Sequence, residues 1–270
     1  MSIICITREL AAMGEETARA LAEKSGYRYV EKINIESRLA EYDVGPQEME
    51  RYDEKKPGLW ASLSESRERY LHFLKLVILE EASKGNCIIL GRGGGTILKG
   101  VPNVLSVRLT SPMEVRIARI KSVYSCDDKS AAQIIRRSDS DREGFHRVFF
   151  DVDWKDPPQY DLVLNTGKIS PAEAATVIDK LRARISTENE EKLAQKKLID
   201  MTLQAKILGE ILFVRKIPVH TVQVSVESGK AVLYGVVSSH EHRAAALSAA
   251  RGAAGDREVV DDLRVVPSAR

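Results

Sequence analysis

The sequence predicts an α/β domain with a doubly wound parallel sheet, followed by a small α+β module of order αββαβ. Three observations predict it. Short β-branched runs alternate with helix-spaced segments through residue 185. The run Cys87-Ile88-Ile89-Leu90 is apolar on both faces, as suits a strand covered by helices on each side. Beyond residue 218 the pattern changes to apolar/polar alternation across a short turn, which is a hairpin.

In chain order, residues 3–6 form a first strand and residues 15–24 a helix, with Ala18, Leu21 and Ala22 at helical spacing and Gly26 at its end. Residues 34–70 are polar and mixed, with a turn at Tyr52-Asp53-Glu54-Lys55-Lys56-Pro57-Gly58, and are expected as surface helices and loops. A helix over 70–82 leads through Lys84-Gly85-Asn86 into the buried strand 87–90. Residues 104–109 form another strand, and Ser111-Pro112 opens a helix over 113–123. A strand over 160–165 precedes a helix to Ile185, headed by Ser170 and Glu173 at capping-box spacing. The domain therefore spans 1–185. A polar linker is expected over 186–195, or the start of a helix continuing to Gly209, and the module occupies 196–267. Within it, strands 219–226 and 231–237 flank the turn Ser228-Gly229-Lys230, followed by a helix over 240–250 and a strand over 258–266.

Composition narrows the function classes. With 43% hydrophobic and 30% charged residues, 270 residues suffice for a sizeable core without metals or disulfides. The formal charge of +2 is spread among interspersed acids and bases, so nucleic acid is not an expected partner. The longest apolar helical stretch, 74–79, stops at Glu80-Glu81, and the opening apolar run has no basic leader; a soluble, cytoplasmic protein is expected. Cys5, Cys87 and Cys126 are expected as buried, reduced thiols. His240-Glu241-His242 opens a helix with no further histidine at ligand spacing, so it reads as a solvated helix start.

Doubly wound sheets hold ligands beyond the strand C-termini, which directs attention to the loops after Ile6, Leu90 and Leu109. In Ala11-Ala12-Met13-Gly14-Glu15-Glu16-Thr17 the N–H groups at a helix start favour an anion. Glu15 stands where a phosphate-contacting lysine is expected and Thr17 where a metal-facing hydroxyl is expected, for Mg²⁺. From the residues alone, an ordinary strand-to-helix turn is the other reading. The loop Gly91-Arg92-Gly93-Gly94-Gly95-Thr96 lets backbone approach a ligand while Arg92 offers a bidentate donor to phosphate, or it is a glycine-rich structural turn.

The loop Gly91-Arg92-Gly93-Gly94-Gly95-Thr96, with Val101-Pro102-Asn103-Val104, Ser111-Pro112-Met113-Glu114-Val115-Arg116 and Tyr160-Asp161-Leu162-Val163-Leu164-Asn165-Thr166, resembles the corresponding segments of cytidylate kinases. Arg136-Arg137-Ser138-Asp139-Ser140-Asp141-Arg142 resembles the lid of those enzymes. The first loop, with Thr7-Arg8-Glu9 and no lysine, and the segment from Asp141-Arg142 to Trp154-Lys155-Asp156 more closely resemble the cytidylate-kinase-like family, over residues 1–185. That resemblance implies a P-loop kinase-like fold with a lid. It also implies transfer of the ATP γ-phosphate, with Mg²⁺, to a nucleoside monophosphate or similar small acceptor. A catalytically degenerate nucleotide sensor, acting through the C-terminal module, is the alternative. Gly14, Glu15, Glu16 and Thr17 would line the donor phosphates, and Gly91, Arg92, Gly93 and Thr96 the acceptor phosphate. Arg137 and Arg142 would stabilise the transferring group, Asp141 would orient the base or an arginine, and Arg8 would substitute for the lysine, unless it pairs with Glu9 or another local carboxylate. Arg116 and Arg119 either begin the lid arm or make helix-surface ion pairs. Gly93 replaces an acidic residue of cytidylate kinases. The C-terminal part, with Val224 to Gly235 and the central Gly235, resembles a BON domain, which implies contact with a protein or a membrane surface; the exposed hairpin leaves self-association open.

Overall fold

The computed structural model describes residues 1–56, 65–227 and 229–267. Pro57 and Gly58 of the expected turn, and Ser228 of the hairpin turn, lie outside the described residues. Five parallel strands form the main sheet: β1 (Ile3–Arg8), β2 (Arg28–Val30), β3 (Cys87–Leu90), β4 (Val104–Thr110) and β5 (Leu162–Asn165), in the order β2-β3-β1-β4-β5. The chain crosses from one side of β1 to the other after β3, and that crossing places a switch point at the C-terminal end of β1.

Side-chain alternation along β1 explains the two covering layers. Ile3 and Cys5 face one core, built with α2 (Lys32–Ala40), α3 (Pro46–Tyr52) and α4 (Glu65–Ser83). Ile4 and Ile6 face the other, shared with Leu105, Val107 and Leu109 of β4, α1 (Gly14–Ser25) and α8 (Pro171–Ile185). The short turn α5 (Gly94–Ile97), then α6 (Met113–Tyr124) and α7 (Asp128–Phe150), complete the domain. Strand β2 was not anticipated, because three residues beginning with an exposed arginine carry no usable period. Nor was the length of α7: the expected lid segment 136–142 lies inside one 23-residue helix.

Residues 188–195, expected as linker or as the start of a helix continuing to Gly209, are the opening turns of α9 (Glu188–Gly209), which Thr187 and Glu190 start with a reciprocal capping box. Ala194 and Leu198 of α9 are buried in the first domain's core, whereas Leu203 and Ile207 belong to the core of the small module. A π-type turn, Glu210–Val214, follows, then β6 (Val219–Glu227), β7 (Lys230–Val237), α10 (His240–Ala254) and β8 (Val259–Val265). Strand β7 is central, antiparallel to β6 and parallel to β8. Gly235 sits at φ 139° where an added Cβ would lie 2.3 Å from the Thr221 carbonyl oxygen, so only glycine fits there. Ser239 caps α10 by accepting from the His242 N–H, and the His242 ring meets the Ser238 hydroxyl. Among the described residues no metal-binding cluster occurs and no helix is long and apolar enough to cross a membrane.

Candidate active site

Two clefts open at the C-terminal rim of the parallel sheet. The first, about 400 Å³, runs along the loop from Arg8 to Glu16 and is closed by Arg119, Ile120, Tyr124 and Arg142. The second, about 500 Å³, includes Arg8, Lys32, Asp53, Arg92, Arg137, Asp141 and Arg142. Arg8 and Arg142 line both and form the wall between them.

The first loop reaches its shape by unusual backbone torsions. Ala11 and Met13 both adopt positive φ, at 60° and 57°, no side chain caps α1, and its first-turn residues Gly14, Glu15 and Glu16 line the cleft, leaving their N–H groups without a side-chain acceptor. Gly14 lets the Arg8 side chain pass: a Cβ there would lie 2.6 Å from the Arg8 Cγ. Exposed Glu15 and Glu16 are on the cleft wall. Thr17 is not. It is wholly buried and its hydroxyl donates to the Met13 carbonyl at 2.6 Å, because a threonine in a helix reaches back to the preceding turn; the expected metal-facing role does not fit it.

The second loop departs further from expectation. Arg92 is buried, and its guanidinium is already paired with Asp53, at 2.9 Å, with Lys32 on the same carboxylate at 2.7 Å. Over Gly91 lies the Glu54 carboxylate, which accepts from the Arg92 N–H at 2.8 Å. It also takes Arg8 Nη1 on both oxygens at 2.8 Å and Arg142 Nε at 3.2 Å. Burial alone would raise the Glu54 pKa, but the guanidiniums of Arg8, Arg142 and Arg92 hold it well below the usual carboxylate range. Burial, then the neighbouring Arg8 charge, lowers the Arg142 pKa, with Glu54 opposing them. Gly93 and Thr96 lie away from both clefts, against a separate small cavity with His146 and Tyr160. Gly93 is needed for packing: a Cβ there would be 2.5 Å from the Phe150 ring.

Helix α7 is tied down onto the first loop. Asp139 accepts from the Leu10 N–H at 2.9 Å and from Arg116 at 2.6 Å, while Arg119 donates to the carbonyls of Ala11 and Thr166 at 2.8 Å. Arg116 and Arg119 are thus internal braces. Glu9 does not pair with Arg8; it accepts from the Ser111 N–H and lies 3.5 Å from buried Arg108, which stacks on Trp154. Arg137 is exposed, and neither it nor Asp141 has a partner among the described residues, so both are available in the second cleft.

A family model described as "Cytidylate kinase-like family" matches residues 3–168. The chain belongs to the cytidylate kinase-like family. A BON domain model matches residues 199–267. A cytidylate kinase of Sulfolobus acidocaldarius is 36% identical over 97 residues, covering 36% of this chain and 52% of that protein, so the chain spans about half of that relative's length. A cytidylate kinase of Methanococcus aeolicus is 26% identical over 174 residues, covering 63% of this chain and 90% of that protein. A crystal structure of an uncharacterized protein from Eubacterium ventriosum superposes with a TM-score of 0.55 at 23% identity, over 68% of this chain and 98% of that one, and shows the fold. In this member of the cytidylate kinase-like family, sequence reading missed Lys32, Asp53 and Glu54. For Asp53 and Glu54 the signal was an acidic pair between a tyrosine and two lysines, which looks like any polar turn, and Lys32 carried no signal of its own.

Proposed function

We propose that the chain is a phosphotransferase that moves the γ-phosphate of ATP to a nucleoside monophosphate or a similarly small anionic acceptor. The observation that supports this reading is the wall of Arg8 and Arg142 between the clefts. A donor with its phosphates on the first-turn amides of α1 and an acceptor beside Arg92 and Arg137 would meet at these two guanidiniums. Phosphoryl transfer asks mainly for positioning and charge stabilisation, and fixed guanidiniums supply both without reorganising. Lys32, Lys55, Arg8, Arg92, Arg137 and Arg142 outnumber Asp53, Glu54 and Asp141 in the second cleft, which suits a multiply charged acceptor. A Mg²⁺ ion arriving with the nucleotide would be held by its phosphates together with Glu15 or Glu16, and would neutralise phosphate charge there.

A nucleotide-binding sensor acting through the BON domain is the second reading, favoured by the carboxylate that stands in place of the phosphate-loop lysine. A coupled assay over the common nucleoside monophosphates, with Arg92→Ala and Arg137→Ala beside the wild type, separates the two. Product formation that both changes reduce supports transfer. ATP binding by calorimetry with no product from any acceptor supports the sensor.

A further inference from the structure

Among the described residues, Glu54 is the one carboxylate that touches both guanidiniums of the dividing wall. It comes from the segment after α3, far in sequence from both partners, and its side chain is 10% exposed beside Arg8 at 13% and Arg142 at 12%. Its seat is built for it. Gly91 has no Cβ, and one placed there would lie 2.0 Å from Glu54 Oε1; the Arg92 N–H donates to the same oxygen. The seat leaves the outer edges of the arginines open. Glu54 engages only Nη1 of Arg8 and Nε of Arg142, Ser138 takes Nη1 of Arg142 at 2.8 Å, and Nη2 of each has no partner among the described residues.

Two guanidiniums this close repel one another, and in a half-dry site that repulsion is weakly screened. A carboxylate fixed between them reverses the sign of the local interaction and holds both at one spacing. We propose that Glu54 is a positioning residue that gathers Arg8 and Arg142 behind the transferring phosphoryl group, their free Nη2 edges being the ones that meet it. This rests on the reading of the two clefts as donor and acceptor sites. A carboxylate that merely held the place of a substrate phosphate would need no dedicated recess at Gly91.

Glu54→Gln tests the idea, because it keeps the shape and removes the charge. The expected result is a fall in kcat of about 100-fold with the KM for ATP changed less than about threefold, and partial recovery in Glu54→Asp. In an Arg142→Ala background the same change should add less than about threefold, since Glu54 then has one of its two partners missing. Tighter ATP binding in Glu54→Gln, measured by calorimetry, would mark Glu54 as a displaced competitor and overturn the proposal; additive losses in the double variant would do the same. A crystal structure of Glu54→Gln provides an arm independent of turnover. Arg8 and Arg142 moved apart support the gathering role, and unmoved arginines sink it even if the wild type phosphorylates no acceptor, a result that would separately sink the phosphotransferase reading.

Discussion

Lowering the pH should loosen the seam between α4 and α9 through a single imidazole. His72 of α4 contacts the Ala205 carbonyl of α9 at 2.9 Å and packs beside Phe73 and Phe213, with ring centroids at 5.3 and 5.1 Å. Gly209 approaches so closely that a Cβ there would lie 2.8 Å from the ring nitrogen Nε2. Burial, with a smaller push from Lys75 and against the hydrogen bond to Ala205, lowers its pKa from 6.5 to about 4. Above pH 6.5 the ring is neutral whether the chain is folded or unfolded, and nothing is lost. Between 6.5 and 4 the unfolded chain takes up a proton that the folded chain refuses, so stability falls with pH, and below 4 this group adds no further loss. At pH 5 the penalty works out to about 2 kcal/mol, and at full development to about 3 kcal/mol. Urea unfolding at pH 7 and pH 5, for the wild type and for His72→Phe, measures it. The wild type should lose about 2 kcal/mol more than the variant on acidification. Equal losses would refute the assignment, because the remaining carboxylates and histidines titrate alike in both proteins.

Other outcomes follow from the packing and the clefts. Arg142→Ala should lower phosphoryl transfer by roughly 10³-fold in a coupled assay, the scale expected when a cation facing the transferring group is lost. Gly93→Asp, which restores the acidic residue of cytidylate kinases, forces a side chain against Phe150 at φ 70°. It should cost about 1–3 kcal/mol in chemical denaturation and confer no preference for cytidine over uridine monophosphate. Gly235→Ala should destabilise the small module by on the order of 2–3 kcal/mol, seen as faster amide exchange in β6 and β7, because its methyl meets backbone. A thiol reagent should label Cys126 alone in the folded protein: Cys5 and Cys87 are buried, and burial raises the Cys87 pKa to about 12.

What could be read from the sequence was whatever local pattern controls. Buried strand 87–90, the Ser170 capping box and the hairpin around Gly229 all depend on residues close together in the chain, and each is found where expected. The arginines Arg8, Arg92, Arg137 and Arg142 were singled out because a guanidinium beside a glycine loop or in a lid suggests an anion. Their partners were invisible, because nothing local ties Glu54 to Arg142, 88 positions later, or Asp53 to Arg92. Thr17 was misplaced for a related reason: a hydroxyl near a loop can turn toward the ligand or back to its own helix, and the letters do not distinguish the two; Thr96 lies against the separate small cavity, a placement set by tertiary packing. Of the two readings of residues 186–195, a linker or the start of a helix continuing to Gly209, the helix is the one that forms, from Glu188. Charged residues of the kind found over 188–192 solvate an exposed helix face as readily as a coil, and burial of Ala194 and Leu198 decides for the helix.

Helix α9 has a mechanical consequence. A rod embedded at one end beside Phe73 of α4 and at the other beneath β6 and β7 contains no joint, so a load on the outer sheet is not dissipated by swivelling. It passes as leverage through Lys206 to Glu80, and Glu80 in turn clamps Arg38 of α2, the helix that bears Lys32. A pull on the terminal module therefore reaches the helix that carries Lys32 of the second cleft, and severing the chain within this rod would strip the cover from one hydrophobic interior while leaving the other half built.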